Sequence, residues 1–273
     1  MEILERNYIA IDCWSVLYPE NTTFLLSHLH TDHADIPKAF QFPVYTSEVA
    51  GILLCDSSNS TAVVRAILKH GCWYRTHKYH IPFKVCDTMH TVESVGFYFP
   101  TLNVIYMGDS TESIIPLVHR PLSVIYDGLY ESIKHDVPTA AQACVRIRQT
   151  LEECPVLQVV HHGILSFIAS SCRTTFRLHS SAPLLVRKTA VFLGIVDDMS
   201  PFLIVGRTYT ESPRIVPSSY WFMRDPLLDP FVVHVDGEKF RVFCTLHATS
   251  HEITRWKQAS PYAHFEVLST SDV

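Results

Sequence analysis

The chain has 273 residues, of which 47% are hydrophobic and 18% are charged, which excludes a disordered chain and allows one or two packed domains. Its apolar runs are shorter than the ~18 to 20 residues that cross a bilayer, and its N-terminus lacks a signal-peptide pattern, so we expect a soluble intracellular protein with no membrane partner. The net charge of −5 excludes nucleic-acid binding through bulk positive charge, so a phosphate-bearing partner requires a local patch or bound metal ions.

The first 110 residues predict short strands with helical segments between them. Runs rich in β-branched and aromatic residues predict strands at residues 8–12, 22–28, 42–47, 80–87, 94–99 and 103–109. Residues 47–54 and 60–69 have helix-like spacing. The interleaving of strands and helices is typical of an α/β protein.

The second half of the chain predicts a helix, further strands and a closing helix. Residues 139–153 are the clearest helix, with Pro155 beyond its end, and helical spacing returns at 250–258. Strand-like runs occur at residues 156–162, 189–196, 201–206, 229–236 and 239–247. Residues 207–230 contain four prolines, which fits a loop or a domain crossing. We therefore expect an inserted region in this half.

Potential metal ligands are concentrated directly after the predicted strand 22–28. His28, His30, Asp32 and His33 fall within six residues, and on a turn after a strand end such side chains can converge on a small volume. Neutral imidazole and carboxylate suit zinc or similar first-row ions. The alternative is a polar loop in a chain with sixteen histidines.

This segment and its surroundings resemble a known family. His-x-His-x-Asp-His after an apolar strand resembles the signature of the metallo-β-lactamase fold, and residues 9–14, 24–36 and 42–54 are similar to the start of the β-CASP DNA nucleases of the Artemis and Apollo type. The resemblance implies an α/β, αββα sandwich with an inserted β-CASP cap lobe. Residues 1–120 and 232–273 would form the metallo-β-lactamase lobe, and residues 121–231 the insertion.

Further segments resemble the same family with less specificity, at residues 85–90, 104–109, 124–127 and 243–247. Carried over position by position, the resemblance implies a first metal on His28, His30 and His90, and a second on Asp32, His33 and His247. Asp109 would bridge the two divalent ions, for which zinc is expected, with iron or manganese as alternatives. The residues expected to be catalytic are Asp32, Asp109 and His247.

Four more residues receive expected roles in support of this site. Asp12 would hydrogen-bond a ligand imidazole and fix its tautomer, although a strand-end Asp is also a common turn residue. Asp127 would orient a neighbouring ligand. His161 or His162 would contact a substrate phosphate, because they align with a family segment whose Lys is missing here; a structural role for this pair is equally consistent.

The resemblance implies hydrolysis of DNA phosphodiester bonds from a 5′ end, with a nuclear role in DNA repair or telomere processing. Trp73, Tyr74 and Tyr79 lie among basic residues and would suit single-stranded ends, although a solvated helix face with core aromatics explains them as well. A metallo-β-lactamase-fold ribonuclease or RNA-processing enzyme is the alternative, because the metal site does not distinguish the sugar. A non-catalytic scaffold derived from such a nuclease is a third possibility.

Overall fold

The computed structural model describes a defined subset of the chain. The described residues are 2–15, 17–55, 64–91, 93–110, 113–116, 122–128, 131, 156–157, 177–178, 230–235, 238–243, 248 and 250–268. The chain divides into two compact units, the first made of Met1–Ser132 with Ser250–Val273 and the second of Ile133–Thr249. The predicted division at residues 121 and 232 stays a prediction.

The first unit contains a four-stranded parallel sheet. After helix α1 (Glu2–Glu5), its strands in spatial order are β1 (Ile9–Ile11), β2 (Thr23–Leu25), β3 (Val44–Ser47) and β4 (Val64–Leu68). Short helices α2 (Thr31–Ala34) and α3 (Glu48–Cys55) follow β2 and β3. Each helix begins within a few residues of a strand end, as expected of parallel strands that need crossover connections.

A six-stranded mixed sheet completes the first unit. Its strands are β5 (Trp73–Arg75), β6 (Pro82–Asp87), β7 (Val95–Phe99), β8 (Val104–Gly108), β9 (Leu122–Tyr126) and β14 (Ala263–Val267). Strands β5 to β8 pair antiparallel in sequence order, whereas β9 pairs parallel with β8 and β14 parallel with β9. The last strand of the described chain therefore returns to the sheet begun by its first hundred residues.

Alternation along the strands places one apolar core between the two sheets. Ile9, Ile11 and Leu25 of the parallel sheet join a buried cluster with side chains of the mixed sheet, among them Phe97 and Tyr106. Successive residues of a strand point to opposite faces, so the residues between them face away. Burying ten or more large side chains in this way is the main stabilisation of the unit.

The opposite face of the parallel sheet is covered by its helices and loops. Ala10, Phe24, Leu26 and Val44 form a second cluster with Phe40.

Helix α4 (Ser250–Ala259) buries Ile253 and Trp256, and its Lys257 lies over the rings of Tyr126 and Phe265 on β9 and β14. The first unit is thus a layered α/β structure.

Two small sheets are described in the second unit. Strands β10 (Val156–Leu157) and β11 (Arg177–Leu178) pair parallel, and β12 (Pro230–Val235) and β13 (Glu238–Phe243) form an antiparallel hairpin. Nothing more of this unit's fold is described, so the β-CASP-like insertion stays a prediction. The predicted helix 139–153 and the predicted strands 189–196 and 201–206 lie outside the described residues.

The α/β class and all six strands predicted in the first 110 residues are confirmed, but one predicted helix is wrong. Residues 64–68 of the predicted helix 60–69 form β4, which pairs parallel with β3. Ile67 is 47% exposed whereas Leu68 is buried, which is the period-two pattern of a strand. An apolar run this short fits both the helical and the strand pattern. Pairing with the edge of β3 determines that these residues form a strand. Among the described residues, no helix is long and apolar enough to span a membrane.

Candidate metal centre

Strand ends from both sheets meet at the candidate site. In the parallel sheet, Asp12 follows β1 and His28 follows β2. In the mixed sheet, Asp109 follows β8, and His90 lies three residues beyond β6, which runs in the same direction as β8. The backbone N–H of Val95 donates to Ser27 O at 2.9 Å, which ties the start of β7 to the residue before His28.

The backbone takes a left-handed conformation beside several of these residues. Asp12 has φ 51°, Met89 before His90 has φ 56°, and Gly108 before Asp109 has φ 56°. A non-glycine residue in this region is strained by about 1 to 3 kcal/mol and is found most often at functional sites. A Cβ on Gly108 would lie 2.9 Å from Tyr106 Cε1, so glycine is required there to aim the Asp109 carboxylate.

Three imidazoles and one carboxylate form a buried group able to hold a metal ion. Ligand atoms of His28, His30, His90 and Asp109 all lie within 4.8 Å of one another. The Nε2 atoms of His28 and His90 are 3.5 and 3.4 Å from Asp109 Oδ2, and His90 Nε2 is 3.0 Å from His30 Nδ1. His90 is fully buried and Asp109 is 6% exposed, so water competes poorly for these ligand atoms.

A fourth imidazole approaches the same carboxylate from its other oxygen. His33 Nε2 is 3.3 Å from Asp109 Oδ1 and 3.8 Å from Asp32 Oδ2. Asp32 lies at the rim of the site, with 73% of its side chain exposed. Asp109 therefore presents Oδ2 to His28 and His90 and Oδ1 to His33.

Asp12 organises the interior side of the site through four hydrogen bonds. It accepts from Ser27 N at 2.7 Å, Ser27 Oγ at 2.6 Å, His33 Nδ1 at 2.9 Å and the Tyr106 hydroxyl at 2.8 Å. An ionised carboxylate only accepts, so His33 carries a proton on Nδ1, and Nε2 is the ring nitrogen that faces Asp109 and could bind a metal ion. Four donors satisfy this buried charge, which would otherwise be very costly.

The tautomer of His28 is fixed in the same way. Ser27 Oγ donates its single proton to Asp12, so it accepts from His28 Nδ1 at 2.9 Å. The lone pair of His28 Nε2 then points toward Asp109 Oδ2, and this buried atom has no hydrogen-bond partner among the described residues. Two electron-rich atoms 3.5 Å apart are stabilised by a cation between them, so the residues present fit a metal ion.

The pKa values of the site express its negative potential. Burial alone would lower the pKa of His33, but the carboxylates of Asp12 and Asp109 raise it to about 11. Burial alone would raise the pKa of Asp12, but His33, His28 and Ser27 hold it below its usual value. Burial and the Asp12 charge raise the pKa of Tyr106 well above its usual value, so its hydroxyl remains a donor. A potential that stabilises an imidazolium also favours a metal cation.

Metallo-β-lactamase structures resemble part of this chain. Metallo-beta-lactamase IND-7 is 23% identical, with a TM-score of 0.26 over 35% of this chain and 44% of that protein. The metallo-beta-lactamase from Pontibacter korlensis is 16% identical, with a TM-score of 0.24 over 54% of this chain and 67% of that protein. The chain thus covers less than half of IND-7. No family model and no curated protein matches this chain.

The remaining site predictions fall into two groups. Asp127 is described: it follows β9, and its backbone N–H donates to Gly108 O at 3.0 Å, which places it beside the residue preceding Asp109. The predicted ligand His247 and the predicted phosphate contacts His161 and His162 lie outside the described residues. The ligand and catalytic roles of all these residues stay predictions.

Three residues that hold the site together received no role from the sequence. Ser27 and Tyr106 fix the orientation of Asp12. Ser94 stabilises the His90 loop, since its hydroxyl accepts from the backbone N–H groups of His90 and Thr91 at 3.2 and 2.9 Å. Tyr106 could have been suspected, because a tyrosine in the middle of an apolar strand needs a partner for its hydroxyl. No comparable signal marks Ser27 or Ser94.

Proposed function

We propose that this chain is a metal-dependent hydrolase whose substrate is the phosphodiester bond of DNA, cleaved from a 5′ end. The observation that carries the proposal is the division of Asp109 between two sets of ligands. Its Oδ2 faces His28 and His90, and its Oδ1 faces His33. A carboxylate shared in this way is suited to two neighbouring ions rather than one, and paired ions are typical of phosphodiester hydrolysis.

The described side chains supply most of two ligand sets. His28, His30 and His90 would hold one ion together with Asp109 Oδ2. His33 and Asp32 would hold the other together with Asp109 Oδ1, and we propose His247 as its remaining ligand. Imidazole and carboxylate ligands are compatible with zinc, iron and manganese, of which we expect zinc.

When bound, two such ions polarise a phosphoryl oxygen and lower the pKa of a water molecule. The chain's own residues prepare the site for them. Asp12 and Ser27 hold the protons of His33 and His28 on Nδ1, so both Nε2 atoms remain available as ligands. Asp32, at the exposed rim, lies where a substrate and solvent can reach the site.

The choice of DNA as the substrate rests on the sequence resemblance to the β-CASP nucleases at residues 9–14, 24–36 and 42–54. The long stretch between Asp109 and His247 leaves room for a cap lobe of the β-CASP type. A chain with net charge −5 also needs bound cations to attract a polyanion to its site. A nuclear role in repair or telomere processing belongs to the same proposal.

Digestion of end-labelled substrates tests this function. Single- and double-stranded DNA and RNA of one sequence, each with and without a 5′-phosphate, are incubated with the protein, with the protein plus chelator, and with Asp109→Ala. We expect DNA to be shortened from the 5′ end, with loss of activity in both controls. Cleavage of RNA alone would select the ribonuclease alternative. No cleavage of any substrate by a metal-loaded chain would overturn the nuclease proposal.

Metal content separates an enzyme from a scaffold. After dialysis against metal-free buffer, elemental analysis should find close to two equivalents of zinc, iron or manganese per chain. A total below about half an equivalent at neutral pH would contradict the metal site itself. A chain without metal that still binds nucleic acid would favour the non-catalytic scaffold.

A further inference from the structure

Strand β5 carries an exposed aromatic residue in a row of polar and aromatic side chains. Trp73 is 56% exposed and pairs directly with Lys84 of β6, which pairs in turn with Tyr98 of β7. The flanking residues Phe83 and Phe97 are buried in the core, so the row lies on the outer face of the mixed sheet. Neither Trp73 nor Lys84 contributes to the metal centre.

The same row is covered at its other end. Tyr98 pairs with Ile105 and Ile105 with Val124, and these two residues are fully buried. Phe265, the next residue of the row, lies beneath Lys257 of α4. Exposure is therefore confined to the β5 edge. Directly opposed side chains lie about 4.5 to 5.5 Å apart at Cβ, so Trp73 and Lys84 form one continuous surface.

The segment around this surface has the charge of a polyanion-binding site. Residues 64–86 contain five Lys or Arg residues and no Asp or Glu, in a chain with net charge −5. Lys69 and Arg75 are exposed on either side of Trp73. Asp87, just beyond the segment, has its Oδ2 atom 3.4 Å from His70 Nδ1. The positive charge is therefore concentrated in this segment, although the whole chain has a net negative charge.

The surface also lies on the strand that leads to the metal centre. Lys84 is three residues before the end of β6 at Asp87, which corresponds to about 10 Å along a strand. His90 follows three residues later. The backbone N–H of Gly71 donates to Val85 O at 2.8 Å, which fixes the beginning of the β5–β6 hairpin beside the end of β6. A nucleic-acid strand that contacts Trp73 is therefore within a few nucleotides of the metal centre.

We propose that Trp73, Lys84 and Tyr98, flanked by Lys69 and Arg75, form a binding surface for single-stranded nucleic acid. A base stacks on the Trp73 ring, and the cations contact the phosphates on either side. Because the surface does not distinguish bases by hydrogen bonding, we expect little sequence preference. The inference rests on the proposed function for its biological sense, but its test does not require hydrolysis.

Fluorescence anisotropy of the full-length protein with a labelled phosphorothioate oligothymidine of about twelve nucleotides tests the surface, because this probe resists cleavage. Trp73→Ala should weaken binding by about 5- to 150-fold, the range for loss of one base–aromatic stack. Trp73→Phe should retain most of the affinity, because it keeps a ring. Lys84→Gln should reduce the slope of log affinity against log salt by about 0.7, the value for one single-strand phosphate contact.

Matched control variants lie at the opposite side of the same unit. Tyr262 is 61% exposed and precedes β14, at the other edge of the mixed sheet, and Arg255 is exposed on α4. Tyr262→Ala and Arg255→Gln should leave oligothymidine affinity within about twofold of wild type. A duplex of the same length should show no dependence on Trp73, because its bases are already stacked.

The outcomes separate this surface from the hydrolytic function. Wild-type affinity in Trp73→Ala, an equal loss in Tyr262→Ala, or no binding by the wild-type chain would each overturn the surface, even if the protein cleaves DNA. Trp73-dependent binding by a chain that cleaves nothing would support the surface and contradict the nuclease. If Trp73→Ala abolished self-association in sedimentation while oligothymidine binding was unchanged, this edge would be a protein interface and the proposal would be wrong.

Discussion

Replacement of Asp12 by Asn should impair one half of the metal centre selectively. The carboxylate accepts hydrogen bonds from Ser27, His33 and Tyr106. In Asp12→Asn, an amide that occupies the Oδ2 position with its NH₂ group becomes a donor there. The Ser27 and Tyr106 hydroxyls can rotate to accept, but His33 can accept only by moving its proton from Nδ1 to Nε2. The Nε2 lone pair, which would otherwise bind the metal ion, would then carry that proton.

The size of the effect follows from this change in tautomer. Loss of the partner that orients a metal-bound imidazole costs about 10- to 100-fold in metal affinity, or about 1.4 to 2.7 kcal/mol. The loss should fall on the ion held by His33. His28 donates to Ser27 rather than to Asp12, so the three-histidine ion should be affected less. The ionised carboxylate that raises the pKa of His33 is also removed, so that pKa should fall.

Competitive titration with a chromophoric chelator, which resolves the two metal affinities, provides the measurement. Tyr106→Phe is the control, because it removes one donor to Asp12 but preserves the acceptor and the His33 tautomer. It should lower the free energy of unfolding by about 1.5 to 3 kcal/mol, as expected for a hydrogen bond to a charged group, with less than a tenfold change in metal affinity. If Asp12→Asn retained both ions at wild-type affinity, the orienting role of Asp12 would be refuted.

Four further predictions follow from the same site. Asp109→Ala and Asp32→Ala should each abolish hydrolysis with an unchanged circular dichroism spectrum; near-wild-type cleavage by Asp109→Ala would contradict the catalytic assignment. Asp127→Ala should reduce kcat/KM by only about 10- to 100-fold, and a complete loss would indicate a direct ligand. Gly108→Ala should destabilise the fold by about 1 to 3 kcal/mol in a denaturant titration, because its positive φ and the Tyr106 ring exclude a Cβ; an unchanged midpoint would refute this. Chelation should lower the unfolding temperature, because ions bound to the native state stabilise it. At a hundredfold excess of free ion over Kd this stabilisation is about 2.7 kcal/mol. An unchanged melting curve would exclude a bound ion.

Most of the local structure in the first unit follows from residues that are neighbours in the sequence. Strands at 22–28, 80–87 and 103–109 could be predicted because each joins β-branched and aromatic residues to a polar turn. The concentration of His28, His30, Asp32 and His33 after one strand predicted a metal site from residue chemistry, and the structure places His28 and His30 in a group that could hold a metal ion. These features depend on neighbours in sequence, so no long-range contact was needed to find them.

The contacts between residues that are distant in sequence depend on the tertiary structure. Local spacing marks His90 and Asp109 only as strand-end residues, and it was the family resemblance that implied their place in the site. They lie near His28 because β6 and β8 run in the same direction and end at one edge of the sheet. The roles of Ser27 and Tyr106 likewise arise from a carboxylate buried where two sheets meet. Residues 64–68 became a strand because β3 presented an edge to pair with. Hydrogen bonding and burial across the fold cannot be read from local spacing, whereas residue chemistry and strand periodicity can.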